Sequence, residues 1–245
     1  MVKMMNRFAL LLMIVAGCAT AAPPAADEKA EKKPVPRPSQ IVSREEWGSQ
    51  PQPIPDARKH TPKYVTIHHA GVIYKPGTDP AKFVKNMQAW GQKEKNWPDL
   101  AYHFLIAPDG RIFEARDMAY EPDSNTKYPL QGHIGVEMMG DFNQQRPSPK
   151  QLESAVQLIA WICDTKKIDV ANIATHKDVA KGQTSCPGDD FYRYMTSGEF
   201  KEWVARTMNG QDFQIDPGLP LENGPTIVVG EGLPATKPAT EKKTN

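Results

Sequence analysis

Two hydrophobic periods alternate along the middle of the chain and separate strands from helices. Tyr64-Val65-Thr66-Ile67-His68 is β-branched and aromatic, lies between Pro62 and Gly71, and predicts a strand with histidines at its C-terminal end. Asp79-Pro80 has the form of a helix cap with proline at the first helical position. Phe83, Val84, Met87 and Trp90 then recur at helical spacing, predicting a helix over 80–94. Ala101–Ala107 and Arg111–Ala115 are strand candidates flanking Asp109-Gly110, a dipeptide suited to a tight hairpin. Gly132–Met139 is rich in aliphatics, stops at Gly140-Asp141, and predicts a central strand. Ser148-Pro149-Lys150-Gln151 opens a long amphipathic helix through Leu152, Ala155, Val156, Ile159 and Cys163, with Cys163 a buried structural thiol on the apolar face. A short segment, Asn172–Thr175, leads into His176. Beyond Cys186-Pro187-Gly188 one last helix carries Phe191, Tyr194, Met195, Phe200, Trp203 and Val204. This order predicts a single α/β or α+β domain, a central mixed sheet covered by helices.

The periodic pattern stops at both ends. Lys3 and Arg7 precede the apolar run Phe8–Ala16, which matches a secretory signal and is shorter than the roughly 20 residues a membrane-spanning helix needs. Val15-Ala16-Gly17-Cys18 resembles the lipobox of bacterial lipoproteins. It implies lipidation at Cys18 and a place in the bacterial cell envelope, at the outer membrane facing the periplasm if the source is Gram-negative; a plain signal cut near Ala22 is the alternative. Residues 19–40, rich in Ala, Pro, Lys and Glu, read as a tether, and 209–245 as a low-complexity tail in which Thr226-Ile227-Val228-Val229 is able to dock as a short strand. The folded domain is expected over 41–208.

Composition adds little beyond this. A hydrophobic fraction of 39% and a charged fraction of 24% suit one soluble core, and a net charge of +1 gives no electrostatic footprint for nucleic acid. Three cysteines, Cys18, Cys163 and Cys186, are too few and too scattered for a disulfide framework.

The candidate chemistry lies in His68 at a strand end, His176 after a short strand, and Cys186 before Pro-Gly. Imidazole and thiolate are natural zinc ligands, and a catalytic site uses three protein ligands with one open position. Strand alternation lets only one of His68 and His69 face a metal, and either satisfies that rule. Cys186 is expected at the cap of the last helix, where the dipole favours a thiolate.

Val65-Thr66-Ile67-His68-His69, Leu100-Ala101-Tyr102-His103-Phe104-Leu105-Ile106, Asp109-Gly110, Ile134-Gly135-Val136-Glu137, Thr175-His176-Lys177-Asp178 and Thr184-Ser185-Cys186-Pro187-Gly188 resemble, in order from about 42 to 205, the N-acetylmuramoyl-L-alanine amidase family. That family includes phage lysozyme-type amidases and animal peptidoglycan recognition proteins. The resemblance implies a peptidoglycan recognition protein-like fold, Zn2+ held by His68, His176 and Cys186, and hydrolysis of the amide between muramic acid and L-alanine. Members that bind peptidoglycan without cutting it typically lack the third ligand, which this chain keeps as Cys186. Glu137 is then the candidate proton carrier, Tyr102 a donor to the oxyanion, and Thr184 a carbonyl-side donor. Trp97, His69 and His133 are candidates for the groove lining. Where many members have a Trp-His or His-Ala pair, this chain has Ala119-Tyr120-Glu121. The expected partners are peptidoglycan or muropeptides and, through the lipid anchor, a membrane; a monomer is expected. The alternatives are a non-catalytic lipid-anchored peptidoglycan-binding protein and a zinc peptidase acting within the stem.

Overall fold

A computed structural model describes residues 33–231; Cys18 and the signal segment, most of the tether, and 232–245 lie outside the described residues. In chain order the elements are β1 (Ile41–Val42), α1 (Arg44–Trp47), β2 (Tyr64–His69), α2 (Pro80–Lys95), β3 (Phe104–Ile106), β4 (Ile112–Glu114), β5 (His133–Met138), α3 (Pro149–Lys166), β6 (Ile173–Thr175), α4 (His176–Val179), α5 (Asp189–Thr196) and α6 (Glu199–Met208), with 3-10 turns at Asp56–Arg58 and Val170–Asn172. The strands form one six-stranded sheet in the order β1-β4-β3-β5-β2-β6. Only β3 and β4 run antiparallel, so this is the mixed sheet the pattern predicts, with β5 inside it.

Local signals account for most of these elements. Asp79 and Ser148 cap α2 and α3 with their side chains, each followed by Pro at the start of the helix. Gly110 adopts φ +91 at the hairpin tip and donates its N–H to the Ala107 carbonyl at 3.0 Å. Pleat alternation then sorts the sheet. Val65 and Ile67 of β2, Ile134, Val136 and Met138 of β5, and Phe104 and Ile106 of β3 are buried, and Trp161 of α3 packs edge-on against Phe104 at 6.1 Å. Helices α3, α5 and α6 close this face through a Phe142–Phe191–Phe200 series of rings. Cys163 is buried in that layer, as expected.

Two elements depart from the sequence reading. The strand expected over Ala101–Ala107 is only Phe104–Ile106. The carbonyls of Ala101 and Tyr102 instead take the N–H groups of Asp123 and Arg116, each at 3.1 Å, from a crossing loop. The single last helix is two, because Gly198 takes φ +86 after Ser197 and begins α6 on a new axis.

Packing also reaches past 41–208. Val35 donates its N–H to Asp164 Oδ2 at 2.9 Å, and Phe213 and Ile215 lie against the core. Val228 pairs with Arg146 in one parallel bridge, which buries Val229. No helix among the described residues is long and apolar enough to cross a membrane.

One glycine fixes the loop that carries Cys186. Gly188 has φ +86, and a Cβ there would lie 2.5 Å from the Phe142 carbonyl carbon and 2.8 Å from the Asn143 nitrogen. Asp190 N–H donates to Phe142 O at 3.0 Å across the same contact. Gly182 offers a control, with φ +72 and nothing within 4 Å of an added Cβ. Gly182→Ala should cost only the left-handed backbone penalty of about 1–2 kcal/mol. Gly188→Ala should cost at least about 2 kcal/mol more, because backbone has to move. Urea unfolding of both variants checks this, and equal losses would contradict the close approach.

Candidate metal and active site

His68 is the last residue but one of β2, His176 opens α4, and Cys186 lies in the loop before α5. Their ligand atoms all lie within 4.8 Å of one another, and all three side chains are buried. The His68 and His176 rings are 4.5 Å apart, and Cys186 Sγ is 3.8 Å from His68 Nδ1. Backbone contacts hold the set: Lys177 N–H donates to the Cys186 carbonyl at 2.8 Å, and His69 N–H points at Cys186 Sγ at 3.3 Å. A capping box of Thr175 and Asp178 fixes the start of α4, with Tyr192 donating to Asp178 at 2.9 Å.

The register of β2 and β5 separates the two adjacent histidines. His68 lies beside Glu137 and shares its face of the sheet, whereas His69 lies beside Met138. His69 Nδ1 accepts the Phe142 N–H at 3.1 Å, so that nitrogen carries no proton, and Asp141 at 3.7 Å makes no ion pair with it. The His69 ring therefore engages the Phe142 backbone, away from the face that carries Glu137.

Glu137 is fully buried, and neither carboxylate oxygen has a hydrogen-bond partner among the described residues. Burial pushes its pKa well above the carboxylate range. Tyr102 favours the charged form without reaching hydrogen-bond geometry. The Tyr102 hydroxyl is likewise pushed up by burial and by Glu137, and its ring packs 4.9 Å from His68. Burial also lowers His68 well below the ordinary histidine value, helped by His176, His69 and His133, and lowers His176 to about 4. Both imidazoles are thus neutral, the form that binds metal.

Cys186 corrects one expectation. The N-cap of α5 is Gly188, so Cys186 stands two residues outside the helix, and burial pushes its thiol up to about 12. Helix-end stabilisation of a thiolate is absent here.

The other expected residues divide. Trp97, Tyr102 and Glu137 line one cleft of about 450 Å³, with Phe83, Met87 and Trp90 of α2 and with Asn125. Trp90 and Trp97 meet edge to face at 6.0 Å. His133 lies apart from that cleft, its Nδ1 2.7 Å from Thr66 Oγ1 and its ring stacked on Tyr64. Thr184 Oγ1 accepts the Cys186 N–H at 3.0 Å. Sequence reasoning missed the loop over the ligands: Thr126 Oγ1 is 2.5 Å from His176 Nε2, and the Tyr128 ring is 5.6 Å from the His176 ring. No period or motif marks that segment.

The donor set fits zinc. Two imidazoles and a thiol match its ligand preference, and donors on a tetrahedral zinc stand about 3.3–3.8 Å apart, within an ångström or so of what is seen. A dication facing a Cys186 thiolate and a Glu137 carboxylate would leave the buried site neutral, and would meet the otherwise unpartnered carboxylate.

Comparison with known proteins agrees with the fold. The family model described as N-acetylmuramoyl-L-alanine amidase matches residues 58–189, which include all three candidate ligands. Rat peptidoglycan recognition protein 1 is 28% identical over 159 residues, covering 64% of this chain and 86% of the relative. Peptidoglycan-recognition protein LB of Drosophila melanogaster is 30% identical over 170 residues, covering 65% of this chain and 68% of the relative. Among solved structures, human peptidoglycan recognition protein IβC in complex with glycosamyl muramyl pentapeptide superposes with a TM-score of 0.57 at 25% identity, over 65% of this chain and 96% of that one. The chain belongs to the N-acetylmuramoyl-L-alanine amidase family.

Proposed function

We propose that this chain is a zinc-dependent amidase that hydrolyses the bond between the lactyl group of muramic acid and the L-alanine of a peptidoglycan stem. The observation that carries the reading is the convergence of His68, His176 and Cys186 beside the unpartnered, buried Glu137 that faces the aromatic cleft. A peptidoglycan fragment bound to the human relative supports muropeptides as the substrate class.

When bound, zinc supplies Lewis acidity that acidifies water and polarises the amide carbonyl. Glu137 takes the proton of the attacking water and delivers it to the alanine nitrogen as the C–N bond breaks, leaving a carboxylic acid and a free amine. Tyr102 keeps its proton and donates a hydrogen bond to the carbonyl oxygen as that oxygen gains charge. The Thr184 oxygen already accepts the Cys186 N–H, so its hydrogen is free to act on the same oxygen. Trp90, Trp97, Phe83 and Met87 hold the substrate against the sheet and keep water from its apolar faces. The N-terminal pattern ending in Cys18 supports a lipid anchor in the cell envelope.

Purified muropeptides incubated with the zinc-loaded chain should release free stem peptides beginning with alanine, seen by mass spectrometry. Intact substrate after long incubation would leave a binding protein, and cuts within the stem would make it a peptidase.

Two substitutions separate the roles. Cys186→Ser should lose stoichiometric zinc and activity together, and a variant with one zinc per chain and full turnover would remove Cys186 from the ligands. Glu137→Gln should keep zinc, measured by elemental analysis, while turnover falls roughly 10²–10⁴-fold. Unchanged turnover would remove Glu137 from proton transfer.

A further inference from the structure

The loop between β4 and β5 places two hydroxyls on the ring nitrogen of a candidate ligand. Thr126 Oγ1 lies 2.5 Å from His176 Nε2, and Ser124 Oγ lies 3.4 Å from the same atom. The two hydroxyls are 3.0 Å apart, and Ser124 Oγ accepts the Thr126 N–H at 3.1 Å. The Thr126 N–H is the one fixed donor of this group; the direction of the other bonds follows from where the His176 proton sits. A hydroxyl oxygen accepts a ring N–H while its own hydrogen points to another acceptor. With the proton on Nε2, His176 donates to Thr126, and the Thr126 O–H donates to Ser124.

The loop is fastened on both sides of this pair. Before it, Asp123 pairs with the buried Arg116 and with Arg58 Nη2 at 2.9 Å, and its N–H donates to Ala101 O. After it, Gln183 accepts the Lys127 N–H at 2.8 Å and donates to the Lys127 carbonyl at 2.9 Å. Gln183 belongs to the segment joining His176 to Cys186. The hydroxyl pair is therefore tied to the same piece of chain that carries two of the candidate ligands.

We propose that Thr126, backed by Ser124, is a positioning residue for His176: it occupies Nε2, fixes the tautomer with the proton there, and leaves Nδ1 to the metal. This rests on the zinc reading above. A histidine that binds metal through one nitrogen donates its other N–H to an acceptor that orients the ring, and losing such an acceptor weakens metal binding by about 10–100-fold.

The test is a chelator-competition titration of zinc into the full chain, which reads affinity without reading activity. Thr126→Val keeps the shape and removes the acceptor, and should raise the zinc Kd by about 10–100-fold with the metal-free melting temperature unchanged. Thr126→Ser restores the hydroxyl and should bring the Kd back to within about threefold of the parent. A parent-like Kd in Thr126→Val would overturn the inference. So would a loss that Thr126→Ser fails to repair, since that would reflect packing alone. Ring nitrogen NMR on the unsubstituted, zinc-loaded chain gives a second readout that does not depend on any variant folding. It should show His176 protonated at Nε2 and coordinated through Nδ1, and coordination through Nε2 would also overturn the inference. A parent chain that binds no zinc removes the metal reading itself, and this inference falls with it, an outcome distinct from a parent that binds zinc while the variant matches it.

Discussion

The parallel pairing of β2 with β5 is the constraint on which the site depends. Six residues pair on each strand, so setting His68 beside Glu137 also sets Ile67 beside Val136 and His69 beside Met138. A slip of one residue would turn the histidine and the carboxylate into the apolar layer and lift Ile67 and Val136 into the cleft. What opposes the slip is the other face. Val65, Ile67, Ile134, Val136 and Met138 are each completely buried, and burying a side chain of this size is worth roughly 1.5–3 kcal/mol. The polar site thus takes its register from the apolar core beneath it, through alternation in the same two strands.

The features legible in the sequence are those whose cause is local. The caps at Asp79 and Ser148 and the hairpin at Gly110 are each set by a few adjacent residues, and each stands where the pattern predicts. The break at Gly198 is also local, but a single Ser-Gly between two amphipathic segments is weak punctuation. The choice between His68 and His69 could not be made from β2 alone, because alternation admits either one. The family resemblance favoured His68, and the neighbouring strand supplies a physical reason in Glu137. The cap expected at Cys186 failed because Gly188, the residue able to approach the Phe142 backbone, takes that position instead. Thr126 and Ser124 were illegible for a different reason. Their loop has no period and is placed by Arg58 and Arg116, which along the chain are only two charges among many.

That loop shows how the molecule divides its buried polar groups. Arg116 is enclosed, yet it pairs with Asp123 and donates to the Asp99 and Glu121 carbonyls. Asp99 is enclosed as well, and it accepts from Arg44, Gln88 and its neighbouring Leu100 N–H. Removing one member of such a network leaves a buried charge without its partner, the costly direction of change for an internal ion pair. The network therefore holds the chain from Ala101 to Asp123 firmly in place, and the hydroxyls that follow inherit that position.

Glu137 stands apart from this network. Asp190, the other enclosed carboxylate without a hydrogen bond among the described residues, still lies 3.6 Å from Arg146 and 3.8 Å from Arg193. Among the described residues no cation pairs with Glu137, and burying an unpaired carboxylate costs several kcal/mol. No gain in packing requires a glutamate there, since an aliphatic residue would fill the same space in the sheet without that cost. The carboxylate lines the cleft, and its position fits the proposed action on a molecule that enters there. Its neighbour across the register is His68, which belongs to a cluster of two neutral imidazoles and one thiol. The donor set of that cluster fits a cation, and a cation held there would allow the carboxylate to remain charged.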